Sequence, residues 1–149
     1  MTEPRTTAPD RPEPHAAETA LRLPLLLIRL AAAAFFLVWS LEKILLPEKQ
    51  QGVFEAFYGG AQPVGVIVAL GVVQTLIVLA FAGGAFKTLT YGALLVMHAV
   101  STLSTTGRLI DPYEGLNHLF WAAVPTLAAL LALFLLRRYD TLLSLGGRR

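Results

Sequence analysis

Arg29-Leu30-Ala31-Ala32-Ala33-Ala34-Phe35-Phe36-Leu37-Val38-Trp39-Ser40-Leu41-Glu42-Lys43 is the stretch whose reading decides the fold. With the leucines before it, it stays apolar long enough to cross a ~30 Å hydrocarbon layer, which takes about 20 residues. It carries one base near its start and ends on an acid beside a base, just ahead of Pro47. This is the pattern of a first membrane helix with a polar far end. The expected span is residues 23–46. Pro24 sits where a first turn tolerates a missing N–H, and Pro47 stops the helix. Ala31-Ala32-Ala33-Ala34 is a patch of small side chains that lets a neighbouring helix approach closely.

The rest of the chain repeats this character. Of 149 residues 55% are hydrophobic and 15% charged. The mean hydropathy of +0.61 is too apolar for an ordinary soluble domain of this size. Further spans are expected at 64–82, 86–105 and 116–136. The predicted fold is all-α, a polytopic four-transmembrane-helix bundle over residues 21–140. Residues 1–20, rich in proline and charge, read as a disordered tail, and 141–149 as a second tail. No basic region runs straight into a short apolar core with a cleavage site, so the first span is expected to act as an uncleaved anchor. Between the first two spans, Val53, Phe54, Phe57 and Tyr58 fall on one side of a helical turn or two, the mark of a short interfacial helix.

The bases orient the chain. Alternating spans place Arg5, Arg11, Arg22, Arg29, Lys87, Arg137, Arg138, Arg148 and Arg149 on one side, and only Lys43, Lys49 and Arg108 on the other. The basic side faces the cytoplasm, which predicts a bacterial inner-membrane protein with both termini cytoplasmic. Trp39, Tyr58, Tyr113, Phe120 and Trp121 then form an aromatic belt on the outer side.

Glu42, Lys43, His98, Ser101 and His118 are the candidate polar edge, because the predicted spans bring them toward that outer face. Ionisable groups at membrane depth are costly and point to function, although Glu42, Lys43 and His118 lie near the surface, where a plain ion pair or solvated cap explains them. His98, about two turns into its helix, is expected to be buried and hydrogen-bonded between helices. Arg29 is close enough to the surface to snorkel to a lipid phosphate or to make a structural contact. Gln74 and Thr75 are expected to bond between helices near mid-membrane. No metal site is expected, and two histidines alone are a weak case for haem. An apolar cleft with a few hydrogen-bonding groups would suit a quinone headgroup better. The bases are not patterned with aromatics, so nucleic acid is not an expected partner. The absence of cysteine excludes thiol chemistry by this chain.

Arg29-Leu30, Phe35-Phe36-Leu37-Val38-Trp39 and Glu42-Lys43-Ile44, followed by Phe54-Glu55-Ala56-Phe57-Tyr58 and four spans, resemble the DoxX-like integral membrane proteins over residues 21–139. Phe86-Lys87-Thr88, Tyr91-Gly92 and His98-Ala99-Val100-Ser101-Thr102 look like a subgroup of bacterial members. The resemblance implies a four-helix membrane protein. It also implies kinship with subunits of a thiosulfate:quinone oxidoreductase and of membrane oxidoreductase complexes in redox defence. Related four-helix proteins use a CxxC pair, which this chain lacks. Three functions stay open at this point: an accessory subunit of a quinone-linked redox complex, not catalytic alone; a structural or assembly subunit packing against other membrane subunits or itself; and a small-solute or proton carrier.

Overall fold

A computed structural model describes residues 14–146; the first 13 residues of the expected N-terminal tail and residues 147–149 lie outside the described part. The described residues are helical, without a strand. The order is α1 (Pro14–Leu45), α2 (Pro47–Phe57), α3 (Val64–Ala82), α4 (Lys87–Ser104), α5 (Thr106–Ile110), a 3-10 turn (Asn117–Ala122) and α6 (Ala123–Leu136). Three helices are long and apolar enough to cross a membrane: Glu18–Leu45, Val64–Ala82 and Asn117–Leu136.

The packing is a closed cycle: α1 lies on α3, α3 on α4, α4 on α6 and α6 on α1. Side-chain contacts set the register. Gly71 faces Lys43 and Ser40, and Gly84 faces Arg29, so α1 and α3 run antiparallel. Thr88 meets Arg137 and His98 meets Ala123, so α4 and α6 do too. One end of the assembly therefore gathers the α3–α4 turn, the end of α6 and the level of Arg29. We call it the terminal end. The opposite, loop end gathers α2, α5 and the 3-10 turn. The core between them holds Leu25, Ala32, Ala33, Phe36, Val78, Phe81, Tyr91, Leu94, Leu130 and Leu133. On α1, buried Leu25, Arg29, Ala32, Ala33, Phe36 and Ser40 recur every three or four residues, the spacing of one helical face. In the alanine patch only Ala32 and Ala33 are buried; Ala31 and Ala34 face outward.

The boundaries differ from those read in the sequence. Residues 14–20, assigned to the disordered tail, are the first turns of α1. Pro24 consequently lies inside that helix and not at its start. Its missing N–H leaves the Ala20 carbonyl without its helical partner, and both residues are exposed, where water can take that place. Pro47 ends α1 and at once opens α2, occupying a first-turn position where no N–H is needed. The interfacial helix is thus 11 residues long rather than a turn or two. The last helix starts as a 3-10 turn and becomes α-helical at Ala123. Pro125, in the first α turn, cannot donate back to Trp121, so regular α geometry starts there. Residues 141–146, expected to be tail, fold back onto the α3–α4 turn: the Leu145 and Gly146 amides donate to the Gly83 and Gly84 carbonyls at 2.8 and 3.2 Å.

Gly71 is the close-approach point of α1 and α3. A Cβ there would stand 2.8 Å from Lys43 Cβ and 3.0 Å from the Ser40 carbonyl oxygen, whereas one on Gly65 meets nothing within 4 Å. Gly71→Val should destabilise the fold by about 1–3 kcal/mol through overpacking. Gly65→Ala should leave the unfolding midpoint unchanged or raised, because alanine favours helix. Thermal unfolding of both variants in detergent checks this.

Candidate functional site

The densest polar cluster of the described residues lies at the terminal end, and it is built on Arg29. This side chain is fully buried, as is Asp140. Nη1 donates to Asp140 Oδ2 at 3.2 Å, and Nη2 donates to the Leu142 and Leu143 carbonyls at 2.7 and 3.0 Å. Tyr91 OH donates to the same Asp140 Oδ2 at 2.6 Å and lies 3.4 Å from Arg29 Nη1. The Lys87 ammonium caps the Asp140 carbonyl. Helices α1 and α4 and the segment after α6 thus share one knot. Gly84 makes it possible: φ is +63°, and a Cβ would sit 2.5 Å from Arg29 Nη1. Of the two contacts expected for Arg29, a lipid phosphate or a structural one, the structural one is made, because protein acceptors surround the guanidinium.

The knot is incompletely satisfied. Among the described residues Arg29 Nε and Asp140 Oδ1 are buried without a hydrogen-bond partner, so the pair meets through one oxygen and not as a two-pronged fork. An unmade bond of a buried polar group costs about 1–3 kcal/mol, more for a charged one. Leu143 adds a left-handed backbone, φ +47°. For a residue with a Cβ that conformation costs roughly 1–2 kcal/mol.

The predicted polar edge at the loop end is divided. Glu42 pairs with Lys49 Nζ and Gln50 Nε2, each at 2.6 Å, and ties α1 to α2. Gln50 is buried, whereas Lys49 is exposed. Lys43 does not join them; its Nζ donates to the Trp39 carbonyl one turn back. His98 is buried between α1, α4 and α6, edge-on to Phe35 and Phe36, with Nε2 3.0 Å from the Ala123 carbonyl oxygen. A carbonyl only accepts, so Nε2 carries the proton. Thr102 bonds the His98 carbonyl along its own helix. Ser101 contributes its carbonyl to Ser104 and Thr105. His118 is exposed on the 3-10 turn. Among the described residues no hydrogen bond or ion pair joins Glu42, His98 and His118, and no three His, Asp or Glu residues converge as metal ligands. Thr75 bonds the Gly71 carbonyl of its own helix rather than a neighbouring one.

An open cleft of about 300 Å³ lies at the loop end between α2 and the α4–α5 corner. Phe57, Ser104, Thr105, Arg108 and Glu114 line it. Phe57 stacks on Phe120 at 5.7 Å, and Arg108 Nη1 reaches Asn117 Oδ1 at 3.4 Å. Ser104 and Arg108 were not among the sequence candidates, since helix end and loop gave no reason to prefer them. Asp140 carried a usable signal: it is the acid nearest the end of the last span, beside three residues of basic and aromatic character.

Comparison of the chain with family models, with curated proteins and with solved structures found no match.

Removing Arg29 strands Asp140 in the core. Arg29→Gln should cost about 3–5 kcal/mol, the usual effect of breaking a buried ion pair from one side. Glu42→Gln, at a partly exposed pair, should cost about 1 kcal/mol or less. Denaturant unfolding in detergent followed by helical circular dichroism separates the two.

Proposed function

We propose that the chain is a four-crossing integral membrane protein serving as an accessory subunit of a quinone-linked membrane complex. The observation that carries the membrane part is the inverted distribution of polarity on α4. Its buried side holds Thr90, Tyr91, His98 and Thr102, and its outward side holds Leu89, Val96, Val100 and Leu103. A helix in water does the reverse. In hydrocarbon, polar side chains gain by facing the protein interior. This makes α4, at 18 residues, the third crossing. Arg29 at the buried end of α1 follows the same rule. The distribution of bases supports placing the terminal end in the cytoplasm of a bacterial cell.

The quinone-linked part rests on the likeness to DoxX-like proteins and on the loop-end cleft. An aromatic ring, two hydroxyls and a guanidinium, with the Glu114 carboxylate at the same cleft, suit a headgroup entering from the bilayer edge. In this reading Arg108 and Ser104 hydrogen-bond the headgroup oxygens, and Phe57 packs on its ring. The predicted edge residues keep supporting roles: Glu42 positions α2, which forms one wall of the cleft. A purely structural or assembly role is the second reading. It is favoured by the way Arg29, Glu42 and His98 spend their hydrogen bonds inside the chain.

Capture from native membranes in mild detergent, through an N-terminal tag because residues 140–146 are packed, tests the proposal. A membrane oxidoreductase should co-purify in stoichiometric amount. Its quinone-dependent turnover should fall at least several-fold with Arg108→Ala or Phe57→Ala while the complex stays assembled. Unchanged turnover in an intact complex selects the structural reading. A chain recovered alone, also after cross-linking in the membrane, overturns both.

A further inference from the structure

We propose that residues 140–146 are a releasable latch that closes the terminal end of the helical assembly, with Arg29 as its catch. The segment is the last described stretch of the chain, and it crosses the α3–α4 turn. Its contacts are polar and mostly made by backbone. The Leu145 and Gly146 amides and the Ser144 hydroxyl donate to Gly83 and Gly84. The Leu142 and Leu143 carbonyls accept from Arg29 Nη2, and the Asp140 carbonyl accepts from Lys87. By contrast, the side chains of Leu143 and Leu145 are 78% and 81% exposed. A segment docked by apolar burial would turn its leucines inward. Apart from the buried Arg29–Asp140 pair, a segment docked by hydrogen bonds at a water-facing end exchanges those bonds for water at little net cost.

Two further observations set the closed state near balance. Leu143 is held in the left-handed region, a strain that persists only where surroundings impose it. Here the surroundings are the Arg29 bonds to its own carbonyl and to that of Leu142. Closure also leaves Arg29 Nε and Asp140 Oδ1 buried without partners among the described residues. Release relaxes Leu143 and admits water to both groups. It also weakens the tie between α1 and the Lys87–Tyr91 turn of α4, because Asp140 is the common acceptor of Arg29 and Tyr91 and only their direct 3.4 Å contact is left. The terminal end then loosens while the loop end, tied by Glu42 to α2, stays closed. Segments of this kind open locally at free energies well below that of global unfolding.

Hydrogen exchange of the full chain in nanodiscs, read by mass spectrometry on the C-terminal peptide, tests the latch. The Leu145 and Gly146 amides should be protected, but less than the α3 and α6 cores. Arg29→Lys keeps the charge but loses the fork that reaches both carbonyls; it should speed exchange of these amides about tenfold or more and leave the core amides unchanged. Ser144→Ala, which removes only the peripheral hydroxyl contacts to the Gly84 and Gly146 carbonyls, should speed it a few-fold in a chain that folds normally. Three results overturn the proposal: wild-type amides that exchange like free peptide, wild-type amides as protected as the cores, or variants that leave the C-terminal peptide unchanged.

Discussion

The structure depends on one buried charge pair. Arg29 enters the assembly on α1, a helix whose other buried residues are almost all apolar, and it cannot be left there without acceptors. Asp140, Tyr91 and two backbone carbonyls supply them. That demand bends the chain after α6 back over the α3–α4 turn and makes the turn a glycine, since only Gly84 leaves room for the guanidinium. A pair of this kind does not stabilise through its own energy, because desolvation offsets much of the attraction. Its effect is on specificity. Alternative rotations of α1 would put Arg29 against lipid or against apolar helices, so the pair selects one rotation and with it the whole α1–α3 register.

The loop end solves a smaller version of the same problem. Glu42 needs partners at the last turn of α1, and Lys49 and Gln50 come from a helix that Pro47 starts immediately afterwards. Because one residue, Leu46, separates the two helices, α2 folds back against the assembly instead of leaving it. This creates the wall of the cleft. Histidine 98 sits between the two ends and links three helices through a carbonyl and two aromatic rings. The bundle thus has polar ties at three levels along an otherwise apolar interior. Such ties give order to helices that, in hydrocarbon, gain nothing from burying leucine against leucine.

Much of this was legible in the chain. Hydropathy located α3 to the residue, and the three spans that length and apolarity support agree with the helices expected there. Pro47 and Gly83-Gly84 marked real breaks. The burial of His98 followed from its distance to the helix end. What escaped was pairing. Arg29 read as a base that either snorkels or makes a structural contact, and its partner stayed unnamed because the acid lies 111 residues away. Glu42, Lys43, His98, Ser101 and His118 read as one edge because threading places them toward the same outer face. Height says nothing about rotation, and the helices turn Lys43 toward Gly71, His98 toward Phe36 and His118 outward.

Composition and periodicity by themselves determined an all-helical membrane protein, the extent of its apolar helices and the residues whose polarity needed explanation. Those properties are local: they follow from how each segment partitions between water and hydrocarbon. Tertiary structure alone decided which polar groups meet, that residues 140–146 belong to the fold, and that the open cleft lies beside Arg108 and not beside Glu42. Those properties depend on helix rotation and on contacts between distant segments. In an apolar solvent, rotation is set by a few buried hydrogen bonds and glycine contacts, and their partners are joined in space without being neighbours in the sequence.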